Sequence, residues 1–348
     1  MVNGTDGSGG TPVPAGQPSM PVGLAEISGD LCVHGLCATA SCIACVTACP
    51  RAALVLNDQS LGFDESACDG CGLCRPACPE GAIRVSGGAL QPLLDGRGHA
   101  ALIACEHTRL PPGPGIVPCL HAFGRRELDH LADDGVAVIV AARGDCASCP
   151  RSTGKTIEAA LVRSNASRSS RRQTTLRYEH TVAAQWLKRQ SEVIAAKFDI
   201  DQSRRALFGG ILQRRPSASA ATAEAWSAHE LHHVVPELDV SLCVGCDACS
   251  RICPHGAIAL QGSGTSLHYA IRAQECTGCR LCLDVCDVNA VSLRELARCE
   301  QHVVALKGQT CRKCGVPFHQ PQTAPDGTGI CRICRHTDHT RNLFQVRT

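Results

Sequence analysis

The sequence predicts an α+β multi-domain protein, and three observations lead to this prediction. The chain has 348 residues, of which 26 are cysteine and only 3% are aromatic, so large apolar cores are scarce and the thiols must help to hold the domains together. The cysteines fall in blocks at 32–78, 105–149, 243–286 and 311–334, and the cysteine-free stretches between them are candidate domain boundaries. Short strand-like and helical segments accompany these blocks, which favours several small units over one large core.

The cellular compartment decides what so many thiols do, because they form disulfides where it is oxidising and bind metals where it is reducing. Residues 1–23 have neither the basic start nor the apolar core of a secretory signal, so we expect a cytoplasmic protein with reduced thiols. The longest apolar run, 136–142, is too short to span a membrane. The net charge of +2 argues against nucleic acid or anionic lipid as a general partner.

Composition divides the chain into seven segments. A helix is predicted in the fourth of them from the spacing of Val182, Trp186, Ile194 and Phe198. The fifth has the Ala/Ser-rich composition of a flexible tether. The segments are a disordered tail at 1–23, a cysteine-rich module at 24–90, a small α/β domain at 91–165, an Arg-rich segment with a helix at 166–212, a linker at 213–236, a second cysteine-rich module at 237–298 and a metal-binding tail at 299–348.

Three segments, 68–78, 243–253 and 276–286, share the spacing Cys-x2-Cys-x2-Cys-x3-Cys. A structural zinc site needs four thiolates around one ion, whereas this pattern offers three close thiols and a distant fourth. The spacing resembles the cluster-binding run of bacterial ferredoxins. A short loop wraps three thiolates around three corners of a cubane, and the next cysteine along the chain cannot reach the remaining corner.

The resemblance implies two ferredoxin-like modules with four 4Fe-4S clusters, in which the last cysteine of each run ligates the neighbouring cluster. In the second module every cysteine recurs at an offset of 33 residues, as expected for an internal repeat. The implied ligand sets there are Cys243, Cys246, Cys249 and Cys286 for one cluster and Cys276, Cys279, Cys282 and Cys253 for the other.

The first module departs from this pattern, because the residue expected to match Cys68 is Thr39. The nearest substitute is Cys37, which requires a two-residue insertion in the loop. Cys32 and His34 are rival ligands, and a three-ligand or 3Fe centre is a further alternative. The predicted sets are Cys37, Cys42, Cys45 and Cys78 for one cluster and Cys68, Cys71, Cys74 and Cys49 for the other.

Short apolar strands are predicted after the four runs, at 54–56, 82–85, 257–260 and 290–293. They resemble the hairpin strands of two-cluster ferredoxins. Glycines inside the runs let the backbone turn sharply and bring N–H groups close to the cluster sulfurs. These glycines are Gly70, Gly72, Gly245 and Gly278.

Two further Cys-x2-Cys pairs near the C-terminus are separated by sixteen residues, a spacing typical of a four-thiolate zinc ribbon. Mononuclear iron is the alternative, because the same ligands suit either metal. We expect the site to stabilise a tail with little core, His319 to be solvated, and Cys299 to be an inert thiol. The predicted ligands are Cys311, Cys314, Cys331 and Cys334.

The segment between the modules predicts a βαβ unit, with strands at 100–104 and 136–142 and a helix at 123–134. The carboxyl ends of parallel strands share one edge of a sheet, so cysteines there should converge on a further metal centre, favoured as iron-sulfur. The alternative is that some of them are only buried apolar side chains. The segment also resembles the small iron-sulfur subunit associated with hydrogenases and heterodisulfide reductases. The cysteines are Cys105, Cys119, Cys146 and Cys149.

Together these patterns predict an electron carrier, a polyferredoxin that relays single electrons to or from a partner redox enzyme such as a hydrogenase or molybdenum enzyme. We find no nucleotide loop, nucleophile arrangement or flavin fingerprint, so we expect neither an active site nor a small-molecule substrate. Two alternatives stay open: an assembly factor for a molybdenum or other redox enzyme, and a cluster-bearing sensor linked to nucleic acid.

Overall fold

A computed structural model describes residues 23–57, 60–85, 90–205, 230–323 and 329–336, with side chains given throughout except at 197–205. The predicted N-terminal tail up to residue 22 and the linker at 213–229 lie outside these residues. Within them, no helix combines the length and apolar character needed to cross a bilayer.

The first cysteine-rich module is built from two short antiparallel strand pairs and one-turn helices. The outer pair joins the two ends of the module, with Ala25 opposite Val85, and the inner pair is a hairpin. The elements are β1 (Ala25–Ile27), α1 (Val33–Leu36), α2 (Ala44–Ala48), β2 (Leu54–Asn57), β3 (Ser60–Phe63), α3 (Cys74–Ala77) and β4 (Ile83–Val85).

The middle domain is a mixed sheet in the strand order β5-β6-β8-β9, with β7 also paired to β6. Strands β6, β8 and β9 are parallel, which confirms the predicted βαβ unit. The elements are β5 (Leu93–Leu94), β6 (Ala100–Cys105), β7 (Ile116–Val117), α4 (Arg125–Asp133), β8 (Val138–Ala142), α5 (Ile157–Ser170), β9 (Arg177–His180) and α6 (Ala183–Arg205).

Helices cover both faces of this sheet. Leu128 of α4 and Ile157 of α5 pack on one face, and Trp186 of α6 packs on the other with its indole N–H donating to the Val140 carbonyl at 3.2 Å. The predicted boundary at 165 therefore falls inside α5, and the part of the segment predicted at 166–212 whose side chains are described, residues 166–196, packs on the middle sheet. The predicted helix exists, although Val182 is exposed and precedes it, and the Phe198 side chain lies outside the described residues.

The second module repeats the layout of the first. An outer antiparallel pair, β10 with β13, encloses the hairpin of β11 and β12. Strand β10 begins at Leu231, inside the segment predicted as linker, and its residues Val235 and Leu238 pack into the module core. The elements are β10 (Leu231–Leu238), α7 (Ala248–Ile252), β11 (Ile258–Gln261), β12 (His268–Ile271), α8 (Leu281–Asp284) and β13 (Val291–Arg298).

The C-terminal tail is joined to this module through a sheet. It contributes β14 (Val303–Thr310), β15 (Pro317–Pro321) and α9 (Arg332–His336). Strand β14 pairs with β12, with Val304 opposite Tyr269, which gives a four-stranded sheet in the order β11-β12-β14-β15. The strands predicted after the four cysteine runs correspond to β2, β4, β11 and β13.

Candidate metal centres

Four cysteines of the first module line a cavity of about 360 Å³. Burial raises the pKa of the Cys74 thiol to about 12, and the neighbouring sulfurs of Cys49 and Cys68 raise it further, so these groups face one another. Cys49 belongs to the run that precedes the other three, as the exchanged-ligand pattern predicts. The lining cysteines are Cys49, Cys68, Cys71 and Cys74.

Cys32 and Cys37 differ in their position relative to the second thiol group of this module. The pKa of Cys45 is raised to about 11 by burial and by the sulfurs of Cys78, Cys42 and Cys32. Cys37 is not among the groups that most raise the pKa of Cys45 or Cys42. Its sulfur lies 3.2 Å from the hydroxyl of Thr39, and the residue packs in the same apolar cluster as Cys42.

The cause of this difference is helix α1, which separates Cys32 at its N-terminal cap from Cys37 at its C-terminal cap. From the spacing of the cysteines we expected this region to be a loop with a two-residue insertion, whereas the structure has a helical turn there. A half-buried His34 fixes that turn, because its Nε2 lies 2.8 Å from the carbonyl oxygen of Cys42.

In the second module the cysteines fall into two groups. One group lines a cavity of about 350 Å³ and consists of Cys253, Cys276, Cys279 and Cys282. In the other group, burial raises the pKa of Cys249 to about 12 and three neighbouring sulfurs raise it further. These three are Cys243, Cys246 and Cys286.

The last cysteine of each run makes the same local turn in all four places. Its sulfur accepts an N–H bond of 3.2 to 3.3 Å from a buried alanine four residues later, and the residue before that alanine has a left-handed φ between 51° and 66°. Sequence reasoning missed this turn, although the recurring alanine was visible. The cysteine and alanine pairs are Cys49 with Ala53, Cys78 with Ala82, Cys253 with Ala257, and Cys286 with Ala290.

The four cysteines of the middle domain also meet. They line a cavity of about 370 Å³, close in size to those of the two modules, and consist of Cys105, Cys119, Cys146 and Cys149. Burial raises the pKa of Cys119 to about 11, and Cys105 and Cys149 raise it further. Cys119 caps a short 3-10 helix at 120–122 and not α4, which begins only at Arg125.

A histidine orients one of these thiols. Nδ1 of His121 accepts the N–H of Ile157 at 3.1 Å, so the ring proton resides on Nε2, which lies 3.5 Å from the Cys146 sulfur. The Gly144 N–H donates to the sulfur of Cys105 at 3.4 Å. Both donors favour thiolates in this cavity.

The C-terminal thiols form the most compact group, with all four sulfurs within 4.8 Å of one another. The first pair lies in the turn between β14 and β15, where Gly315 adopts φ 72°. The Cys331 N–H donates to the Cys311 sulfur at 3.3 Å and lowers the pKa of that thiol. Four such thiols fit a tetrahedral metal ion. They are Cys311, Cys314, Cys331 and Cys334.

His319 of β15 is not solvated, contrary to expectation. Its Nε2 lies 2.8 Å from Oδ1 of Asp247, the residue after the thiol of Cys246, and the Tyr269 hydroxyl donates to the same oxygen at 2.6 Å. Gly245 has φ 67°, and a Cβ there would lie 2.2 Å from the His319 carbonyl oxygen. The tail therefore packs directly on a cysteine loop of the second module.

Comparisons with known proteins agree with this arrangement. The family model of the 4Fe-4S dicluster domain matches residues 236–293, and that of the 4Fe-4S binding domain matches residues 61–84. The chain is 35% identical over 83 residues to hydrogenase-4 component A of Escherichia coli (strain K12). That match covers 24% of this chain and 38% of that protein, so the chain spans less than half of the length of this relative.

Proposed function

We propose, on the basis of the ferredoxin-type 4Fe-4S domains that the chain carries, that it relays single electrons through four 4Fe-4S clusters to or from a partner redox enzyme. Four groups of four cysteines, each with at least one buried thiol, support the cluster number. Three of the proposed ligand sets are those implied by the ferredoxin resemblance. The fourth consists of Cys32, Cys42, Cys45 and Cys78, with Cys32 replacing Cys37 because of its position beside the other thiols.

The residues present fit such clusters. Two of the four groups line cavities of nearly equal size, and each exchanged cysteine already receives an N–H bond at its sulfur. When bound, a cluster of this kind accepts and donates one electron at a time. The protein's own contribution is to hold the thiolates, keep water away and fix the distance between neighbouring sites.

The observation that carries the proposal is a single row of thiol sites. Cys42 of the first module packs in one apolar cluster with Cys279 and Leu281 of the second module. At the other end of the first module, Cys71 and Cys119 share a buried cluster with Leu73. Within each module, the exchanged cysteines join the two proposed sites. The two contacts between the units therefore support one continuous row of sites from the middle domain to the second module.

Polar bonds between the parts hold this row together. Glu80 of the first module binds both His255, at 2.7 Å, and Thr277 of the second module. The Asp284 carboxylate accepts the hydroxyl and the N–H of Ser41 at 2.6 and 3.0 Å. These bonds flank the contact between Cys42 and Cys279, so they support a fixed separation between the sites.

We assign the middle-domain thiols to a further iron-sulfur centre and the C-terminal thiols to zinc. The middle cavity matches the cluster cavities in volume, whereas the C-terminal sulfurs are close enough for one ion. A redox enzyme as partner is supported by the similarity to a hydrogenase component. Cytoplasmic localisation follows from the need for reduced thiols at all of these sites.

The test is the metal content of the full chain isolated without oxygen. We expect about sixteen iron atoms from four cubanes, additional iron from the middle centre, and about one zinc ion. Stepwise reduction followed by EPR should reveal magnetic interaction between neighbouring centres. Fewer than about ten iron atoms in a folded, reconstituted sample would contradict the four-cluster proposal.

A further inference from the structure

A large cleft lies where the two modules and the middle domain meet. Its walls include residues of β4, of the starts of α4 and α5, and of the loop before α8. Cys42 and Cys78, two thiols of one proposed cluster site, also line it. Nothing in the relay described above uses this cleft.

The walls of the cleft are strongly basic. Seven arginine and lysine side chains line it against two glutamates, an excess of five positive charges (7 − 2), although the whole chain has a net charge of only +2. Some of this charge is balanced locally, because Arg75 pairs with Glu127 at 3.2 Å and Arg163 pairs with Glu295 at 2.8 Å.

Four cations of the cleft have no ion pair among the described residues. One of them, Arg126, donates to the Pro79 carbonyl, and the other three come from three different parts of the molecule. Arg84 lies in β4 of the first module, Lys155 precedes α5 in the middle domain, and Arg280 precedes α8 in the second module. All three are exposed. Cations that converge from three units on one cleft without local partners form a site for an anion.

A histidine on the wall lies near several of these cations. Burial lowers the pKa of His233 to about 3, and Arg125, Arg171 and Arg163 contribute to the shift. A carboxylate oxygen of Asp129 lies 3.8 Å from its Nε2.

The middle-domain wall has features that favour phosphate over a carboxylate ligand. Gly154, Lys155 and Thr156 stand directly before the fourteen-residue helix α5, whose cap is the Thr156 side chain bonded to the Ala159 N–H at 3.2 Å. Gly154 adopts φ 73°. Glycine and lysine at the start of a helix that follows a parallel strand are typical of phosphate-binding loops, although Cys149 occupies the place of the first glycine of that motif.

We propose that this cleft binds a small molecule with a polyphosphate group, such as a nucleoside triphosphate. Arg84, Lys155 and Arg280 would contact the phosphates, and the cleft has about 760 Å³ of space for a ligand, which lies within the usual range for a small-molecule pocket and leaves room for the rest of the molecule. The ligand would bridge all three units and add negative charge beside the thiols of Cys42 and Cys78.

The proposal can be tested by calorimetric titration of the full, cluster-loaded chain with inorganic tripolyphosphate and with ATP. We expect saturable binding of one ligand per chain that weakens with salt. The variants Lys155→Gln and Arg280→Gln should each lower the affinity about tenfold, the usual effect of losing one charge-assisted contact. Lys188→Gln, on the exposed side of α6 and outside the cleft, is the matched control and should bind like the wild type.

Iron content is measured for every variant, so that loss of a cluster is distinguished from loss of ligand binding. Failure of both probes to saturate the wild-type chain would overturn the proposal. So would an equal loss of affinity in Lys188→Gln, because it would indicate unspecific attraction. Tighter binding of a polyglutamate peptide than of either phosphate probe would identify the cleft as a site for an acidic protein segment instead.

Discussion

Nε of Arg151 in the middle domain lies 2.9 Å from Oδ2 of Asp69 in the first ferredoxin-like module. The same guanidinium also binds the Glu106 carboxylate at 3.1 Å and the Pro118 carbonyl at 2.8 Å. Asp69 in turn accepts the N–H of Cys71, the cysteine that packs against the middle centre. One ion pair therefore fixes the contact between the first two sites of the proposed row.

We expect Asp69→Asn to destabilise the protein by about 1 kcal/mol after allowance for solvent screening. Burial opposes ionisation of Asp69, but its bonds with Arg151 prevail and lower the pKa. A lowered pKa stabilises the fold above the ordinary Asp value and loses that effect only as the pH falls through the lower folded value. The difference between variant and wild type in anaerobic chemical denaturation should thus be constant from about pH 5 to 8. A difference that disappeared between pH 6 and 8 would indicate a histidine as the cause.

The exchanged ligands predict which cluster each cysteine variant damages. Cys78→Ser should affect the site that contains Cys42 and Cys45, and Cys49→Ser should affect the site that contains Cys68, because each sulfur belongs to the neighbouring group. EPR of the reduced variants distinguishes the two centres. If Cys78→Ser removed the centre at Cys68 instead, the exchange would not apply to this module.

A matched pair of variants decides the remaining ligand of the first module. Cys32→Ser should lose or convert one cluster, whereas Cys37→Ser should keep all of them, because the sulfur of Cys32 raises the pKa of both Cys42 and Cys45 and is the proposed ligand. Iron analysis and EPR give the answer. The opposite result would restore Cys37 as the ligand.

The repeated turn after each run predicts stability changes of opposite sign. Ala52 and Gly81 occupy equivalent positions with φ of 51° and 66°. Ala52→Gly should raise the free energy of unfolding by about 0.5–1 kcal/mol because it relieves a left-handed strain. Gly81→Ala should lower it, since a Cβ there would lie 2.0 Å from Nη1 of Arg126. Ala159→Gly, inside α5, is the control and should destabilise by about 0.5–1 kcal/mol in the same denaturation series.

Removal of the proposed C-terminal zinc ion should loosen the packing of the C-terminal tail on the second module. Cys314→Ser is expected to weaken zinc binding, free β15 and increase hydrogen exchange around His319 and Asp247, which are bonded at 2.8 Å. Zinc analysis and amide exchange measure both effects. Cys299→Ser, a buried thiol outside the four-sulfur group, should retain the metal. Unchanged amide hydrogen exchange in the zinc-free variant would mean that the metal does not hold the hairpin of β14 and β15 in place.

The cysteine spacing sufficed to predict local structure, such as the strands that follow each run. It could not predict a contact between residues far apart in the chain. The pairing of His319 with Asp247, 72 residues away, has no periodic signal. The spacing also left Cys32 and Cys37 open as rival ligands, because the one-turn helix between them is too short to produce an amphipathic pattern.

Because β14 pairs with β12, the hairpins of the two repeated modules differ in the number of strands that they join. The hairpin of β2 and β3 ends as a two-stranded ribbon within the described part of the chain, whereas the equivalent hairpin of the second module continues into β14 and β15. A fragment cut at residue 298 would expose the backbone groups of β12 as a free edge, and such an edge is a template for intermolecular pairing. The C-terminal tail thus protects the second module against aggregation, and shortened forms of the protein would be expected to precipitate before they unfold.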